Sequence, residues 1–159
     1  MALPEGKNPT FDTIKTKRAI ISDLGATRTL SIDESGSLIL LNRAAGVVVT
    51  LPTAVPGLVY DFLVTTTVTS NSYKVITGAA TEFLIGGYTN VDTDTSNAVA
   101  FFSGNGSTHI AVTQAAASTN STGGIIGSNL RFTCLSTTRW MVEGTVFGAG
   151  TVATAFATS

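Results

Sequence analysis

The chain has 159 residues, a net charge of −1, a single Cys and a single His, with 12% of residues charged and 43% hydrophobic. One Cys excludes an internal disulfide and leaves no Cys/His cage for a metal, while near-neutral charge gives no pull toward nucleic acid or an anionic membrane. No stretch has the core of a signal peptide or the roughly 20 apolar residues of a membrane span, so one domain with its own packed core is expected.

Charge is unevenly placed. Residues 1–20 carry Lys7, Lys15, Lys17 and Arg18 against Glu5 and Asp12, and the rest of the chain is acidic on balance. Pro4, Gly6 and Pro9 keep the opening residues out of any regular element. Residues 1–20 therefore read as an extended arm with Phe11 and Ile14 as apolar anchors, and ordering such an arm costs entropy unless it docks on a neighbour. Residues 21–159 read as one β domain.

From Thr27 the pattern is strand and turn. Thr27 to Ile32 alternates in polarity. Leu38–Leu41 and Val47–Leu51 have no polar face, which predicts strands covered on both sides or strands whose outer face meets another chain. Ser35-Gly36, Pro52 and Pro56-Gly57 break the chain between these runs. Residues 58–67 form the longest predicted strand, with Tyr60, Phe62 and Val64 on one face and Asp61 on the other. Thr69-Ser70-Asn71-Ser72 predicts a turn, because Asn and Ser tolerate unusual backbone angles, and Tyr73–Thr77 is expected to return as the paired strand.

Gly86-Gly87 reads as a turn without the Lys-Ser/Thr of a phosphate loop. Residues 90–97 are acidic and oxygen-rich but lack the later bidentate Glu of a calcium loop, so an exposed loop is expected and no metal is assigned. Asn105-Gly106 between residues 98–103 and 108–113 predicts a hairpin. Residues 115–124 are low-complexity Ala, Ser, Thr, Asn and Gly, and predict a loop. Leu130, Phe132 and Cys134 alternate with Arg131 and Thr133, and Arg139–Glu143 follows as the partner of a second hairpin. Residues 151–156 are again β-like.

Reactive chemistry has little to stand on. His109 has no nearby acidic orienter and no Gly-x-Ser-x-Gly elbow, and Cys134 lies on an apolar strand face where a thiol is a small buried hydrophobe. No catalytic residue and no cofactor is assigned, and an enzyme is not expected.

The order Asp33-x-x-Gly36, Gly46-x-x-x-Thr50-Leu51-Pro52 and Gly57-Leu58-x-Tyr60-x-Phe62-x-Val64, followed by residues 68–77 and Trp140-x-Val142-x-Gly144, resembles the small tailed-bacteriophage proteins that decorate or cement the head. The resemblance implies an all-β fold, a single-domain jelly-roll-like sandwich or barrel with an extended N-terminal arm. It implies a homotrimer on the outer capsid surface that is made in the host cytoplasm, sits at three-fold positions and braces the major capsid protein, with no nucleic acid or membrane partner. Within it, Phe11, Ile14, Lys15, Lys17 and Arg18 are the expected capsid-binding residues, and Leu38, Leu40, Phe101 and Phe102 the expected trimer interface. The alternative is a tail, fibre or glycan-binding recognition module, for which Tyr88, Asn90, Asp92 and Asp94 form the one aromatic and amide/acid grouping in the chain.

Overall fold

A computed structural model describes residues 17–94, 98–116 and 120–159, and the expected capsid-binding residues Phe11, Ile14 and Lys15 lie outside them. Twelve strands are described: β1 Ile20–Ile21, β2 Thr27–Thr29, β3 Leu38–Leu41, β4 Val47–Thr50, β5 Val59–Val64, β6 Ser72–Ile76, β7 Phe83–Asp92, β8 Val99–Ser103, β9 Ala111–Ala115, β10 Asn129–Ser136, β11 Arg139–Gly148 and β12 Phe156–Ala157. They form a sandwich of a seven-stranded sheet ordered β1-β3-β5-β10-β11-β7-β8 and a five-stranded sheet ordered β12-β9-β6-β4-β2. The expectation of a single-domain β sandwich holds, with mixed sheets in which β1 to β6 pair parallel with one another, β11 pairs parallel with β7, and the other pairs are antiparallel.

The mixture has a simple origin. From β1 to β6 each strand enters the opposite sheet from the one before it, so strands two apart become neighbours and run parallel: β1, β3 and β5 in one sheet, β2, β4 and β6 in the other. The predicted return of residues 73–77 beside residues 58–67 therefore fails, because β5 and β6 face each other across the core. What holds the winding is the stacking of its connections. Thr65 and Thr66 donate backbone N–H groups to Leu41 O, Thr69 N–H donates to Ala44 O, and the Asn71 side chain donates to Ala45 O. Gly46 (φ +79°) lies so close to the next connection that a Cβ there would stand 2.5 Å from Ser72 O. Asn71 itself has φ +57°, the unusual angle its turn position predicts.

The Asn105-Gly106 hairpin also fails. β8 pairs with β7 in the large sheet, whereas β9 pairs with β6 and β12 in the small one. The turn therefore carries the chain across the sandwich. The β10–β11 hairpin forms as predicted. The alternating run from Thr27 yields only β2, because Ile32–Glu34 closes into a 3-10 turn. The Thr151–Phe156 tail reduces to β12.

Side-chain alternation places the core between the sheets. Ile39, Leu41, Tyr60, Phe62, Val64, Leu130, Phe132, Trp140 and Val142 point inward from the large sheet against Val47, Val49, Tyr73, Val75 and Val112 from the small one. Phe62 and Phe132 meet edge to face at 5.4 Å between centroids, a favourable aromatic geometry. Glu82 is buried in the same interior, accepting from the Ala54 backbone N–H at 2.8 Å and from Trp140 Nε1–H at 3.0 Å. This carboxylate joins the loop after β4 to the start of β11.

Candidate interaction surface

The outer face of the seven-stranded sheet carries Leu38 and Leu40 at one end, with Arg18 against it, and Phe101 at the other. Cross-strand register aligns Leu38, Asp61, Arg131 and Glu143 in one row over β3, β5, β10 and β11. The next row holds Leu40, Leu63, Asn129 and Thr145. Because the inner faces of these strands fill the core, alternation leaves these side chains on the outside. A shallow cleft of about 460 Å³ opens here, bordered by Arg18, Leu38, Asp61, Leu63, Asn129 and Arg131 among others.

Asp61 organises the cleft. Its side chain is 14% exposed and accepts from Arg131 Nε at 2.7 Å and Arg131 Nη2 at 3.1 Å, while Arg18 forms a second ion pair with Oδ2. Partial burial pushes the Asp61 carboxyl up, but the hydrogen bonds and charges of Arg131 and Arg18 outweigh burial and hold it below the ordinary carboxylate value. Arg131 is raised in turn, chiefly by its hydrogen bonds to Asp61, and it also reaches Glu143 at 4.0 Å. The result is a balanced ion cluster flanked by half-buried Leu38, Leu40 and Leu63.

Arg18 is thus turned onto its own domain: besides Asp61, it donates to Gly36 O at 2.8 Å and Ser37 O at 3.0 Å. Lys17 is exposed. Leu38 and Leu40 are half-exposed on the outer face, whereas their neighbours Ile39 and Leu41 are buried, so β3 is covered on one side only. Phe101 is 69% exposed and lies at the far end of the same sheet, across β5, β10, β11 and β7 from β3. Phe102 points the other way, into the sandwich against Tyr88 at 6.1 Å between centroids. The four expected trimer residues therefore do not form one patch. Leu38 and Leu40 share one end with Arg18, Phe101 belongs to the other, and Phe102 is a core contact.

The remaining candidates are structural in their surroundings. Tyr88, Asn90 and Asp92 are inward-facing residues of β7 and are buried, so the grouping behind the glycan-binding alternative presents no exposed aromatic. Asp92 Oδ1 accepts from Asp94 N–H at 3.0 Å, and Asp94 Oδ2 accepts from Gly150 N–H at 2.7 Å. The His109 ring stacks on Phe156 at 5.4 Å, and its Nδ1 accepts from Asn105 N–H at 3.2 Å. Burial, with the Glu82 charge second, pushes the Cys134 thiol above its ordinary value, which disfavours the thiolate.

Three residues that matter here carry no signal of their own in the sequence. Arg131 and Glu143 are legible as outward-facing positions of alternating strands, but the pairing that sets them beside Asp61 joins segments far apart in the chain. Glu82 is an acidic residue before an apolar run, and nothing local marks it as buried. Compared with family models, with curated proteins and with solved structures, the chain matches none.

Proposed function

We propose that the protein is a structural component of a tailed-phage virion that binds the outer surface of the head and stabilises the shell by bridging major capsid protein subunits at three-fold positions. The observation that carries this reading is the outer face of the seven-stranded sheet: half-buried Leu38, Leu40 and Leu63 beside a charge-balanced cluster, on a chain with few charges elsewhere. Interface centres are poor in unpaired charge, and a cluster already neutralised within the protein can be desolvated at smaller cost than a lone ion. The motif order that resembles head decoration proteins supports the same reading.

In this reading Leu38 and Leu40 lie near the three-fold axis of a homotrimer, and the residues ahead of Arg18, with Phe11, Ile14, Lys15 and Lys17 among them, reach the capsid. Each particle then joins several capsid subunits, so rupture of the shell must break linked contacts together and modest individual contacts suffice. The test is co-sedimentation of the purified protein with expanded heads of the parent phage that lack it. Saturable binding that is abolished by deleting residues 1–16, with the truncated protein still folded, is the expected result. Truncation at 16 keeps Arg18 and its ion pair intact. If the truncated protein saturates heads with undiminished affinity, the N-terminal segment is not the capsid contact.

A further inference from the structure

We propose that β8 is a self-pairing edge, which joins two copies of this chain antiparallel about a two-fold axis through Phe101. The sandwich has four sheet edges among the described residues, and three are too short to template another strand: β1 and β12 have two residues each and β2 has three. β8 has five residues. Val99 and Phe101 on it are 66% and 69% exposed, the highest values among the large hydrophobic side chains described. Natural edges are usually protected by brevity, by charge or by Pro. Residues 98–108 contain neither a charged residue nor a Pro.

The hydrogen-bond register shows which backbone groups stand open. Asp92 N–H donates to Ala98 O at 2.8 Å, and Gly104 N–H donates to Gly86 O at 3.0 Å. Between them Asn90 is opposite Ala100 and Tyr88 is opposite Phe102. In an antiparallel ladder bonded positions alternate, so Ala98, Ala100, Phe102 and Gly104 face β7 and the N–H and C=O groups of Val99, Phe101 and Ser103 point away from it. These three open positions are symmetric about Phe101. A two-fold axis there sets Phe101 against Phe101 of the second copy and Val99 against its Ser103, completing the ladder on both strands.

Charge argues for a second copy as the occupant. A two-fold axis pairs the strand with its own duplicate, so a charge at its centre would face like charge, whereas this run carries no charge. The other edges are less suited: β2 carries Arg28, and β1 follows Lys17 and Arg18. Phe101 is also held ready, since its ring lies across Gly87, where a Cβ would come within 2.5 Å of it. The end of the Phe101 ring thus reaches over β7, on the outer face of the sheet.

This inference does not rest on the capsid reading, because it concerns the protein alone in solution. The experiment is sedimentation equilibrium of the full chain, wild type and Phe101→Lys, together with oxidative crosslinking of Phe101→Cys. The expected result is a twofold fall in mass for Phe101→Lys, from two chains to one or from six to three, and a disulfide-linked two-chain band for Phe101→Cys that reduction removes. Cys134 is buried and stays outside that reaction. A single-chain wild type, a mass that Phe101→Lys leaves unchanged or lowers threefold, or a halved mass without the two-chain band each overturns the two-fold pairing. Matching thermal midpoints of wild type and Phe101→Lys at low concentration establish that the variant is folded.

Discussion

The two halves of the sandwich are built on different principles. From β1 to β6 the chain winds alternately through the two sheets, and its successive connections stack on one another through backbone groups. From β7 onward long strands pair more extensively: β7 and β11 run parallel over ten residues, β10 and β11 form a hairpin, and a buried side-chain node of Glu82 and Trp140 ties them to the first half. The contrast shows that the winding half depends on what the loops lack, above all a Cβ at Gly46, while the second half depends on what its side chains supply. Both lead to the outer face, which draws Leu38 and Asp61 from one half and Arg131 and Glu143 from the other.

Substitutions at these sites separate the two principles. Trp140→Ala removes the largest buried side chain at the junction and is expected to cost about 3–5 kcal/mol, read as a large fall in the denaturant midpoint. Glu82→Ala leaves the Trp140 Nε1–H and the Ala54 N–H without their acceptor, at a cost of about 2–4 kcal/mol; Glu82→Gln, which keeps an acceptor oxygen, is expected to lose less. Gly46→Ala strikes the other half. Positive φ and the contact with Ser72 together are expected to cost about 1–3 kcal/mol. Hydrogen exchange should accelerate first at the connections around residues 42–46 and 65–71, and uniform acceleration across β10 and β11 would contradict the claim that the halves are held differently.

Asp61→Asn has a smaller effect, on the order of 1 kcal/mol, because both arginines keep access to water. Its pH dependence is more telling. The folded Asp61 carboxyl lies below its ordinary value of 3.8, so the ion cluster contributes fully above that pH and is lost as pH falls through the lower, folded value. The difference in thermal midpoint between wild type and Asp61→Asn should hold steady down to about pH 4 and close below it. A difference that closes between pH 5 and 6 would mean that the arginines do not hold Asp61 ionised. At low concentration, where single chains prevail, Phe101→Lys should change stability by no more than about 0.5 kcal/mol, as expected of an exposed site.

Strand identity was largely legible, and strand partnership was not. The alternation of Tyr60, Phe62 and Val64, and of Leu130, Phe132 and Cys134, marks inward faces whatever the pairing, and all six are buried. Whether a strand turns back beside its predecessor or crosses to the other sheet is decided by contacts between loops, such as Thr69 with Ala44, that no local pattern reveals. β7 was hidden because Gly86-Gly87 resembles a turn. In the fold these glycines sit within a ten-residue strand, where Gly87 makes room for the Phe101 ring and the backbone of β8. Asp61 could be placed on an outward face, but its partners enter only through the β5–β10 register.

The proposed role, holding capsid subunits together, is measured by the rupture temperature of phage heads. Heads lacking the protein, mixed with increasing amounts of it, should release their contents at a higher temperature until binding saturates, with no gain from the protein deleted for residues 1–16. A rupture temperature that stays the same while the protein remains in the supernatant would contradict the account.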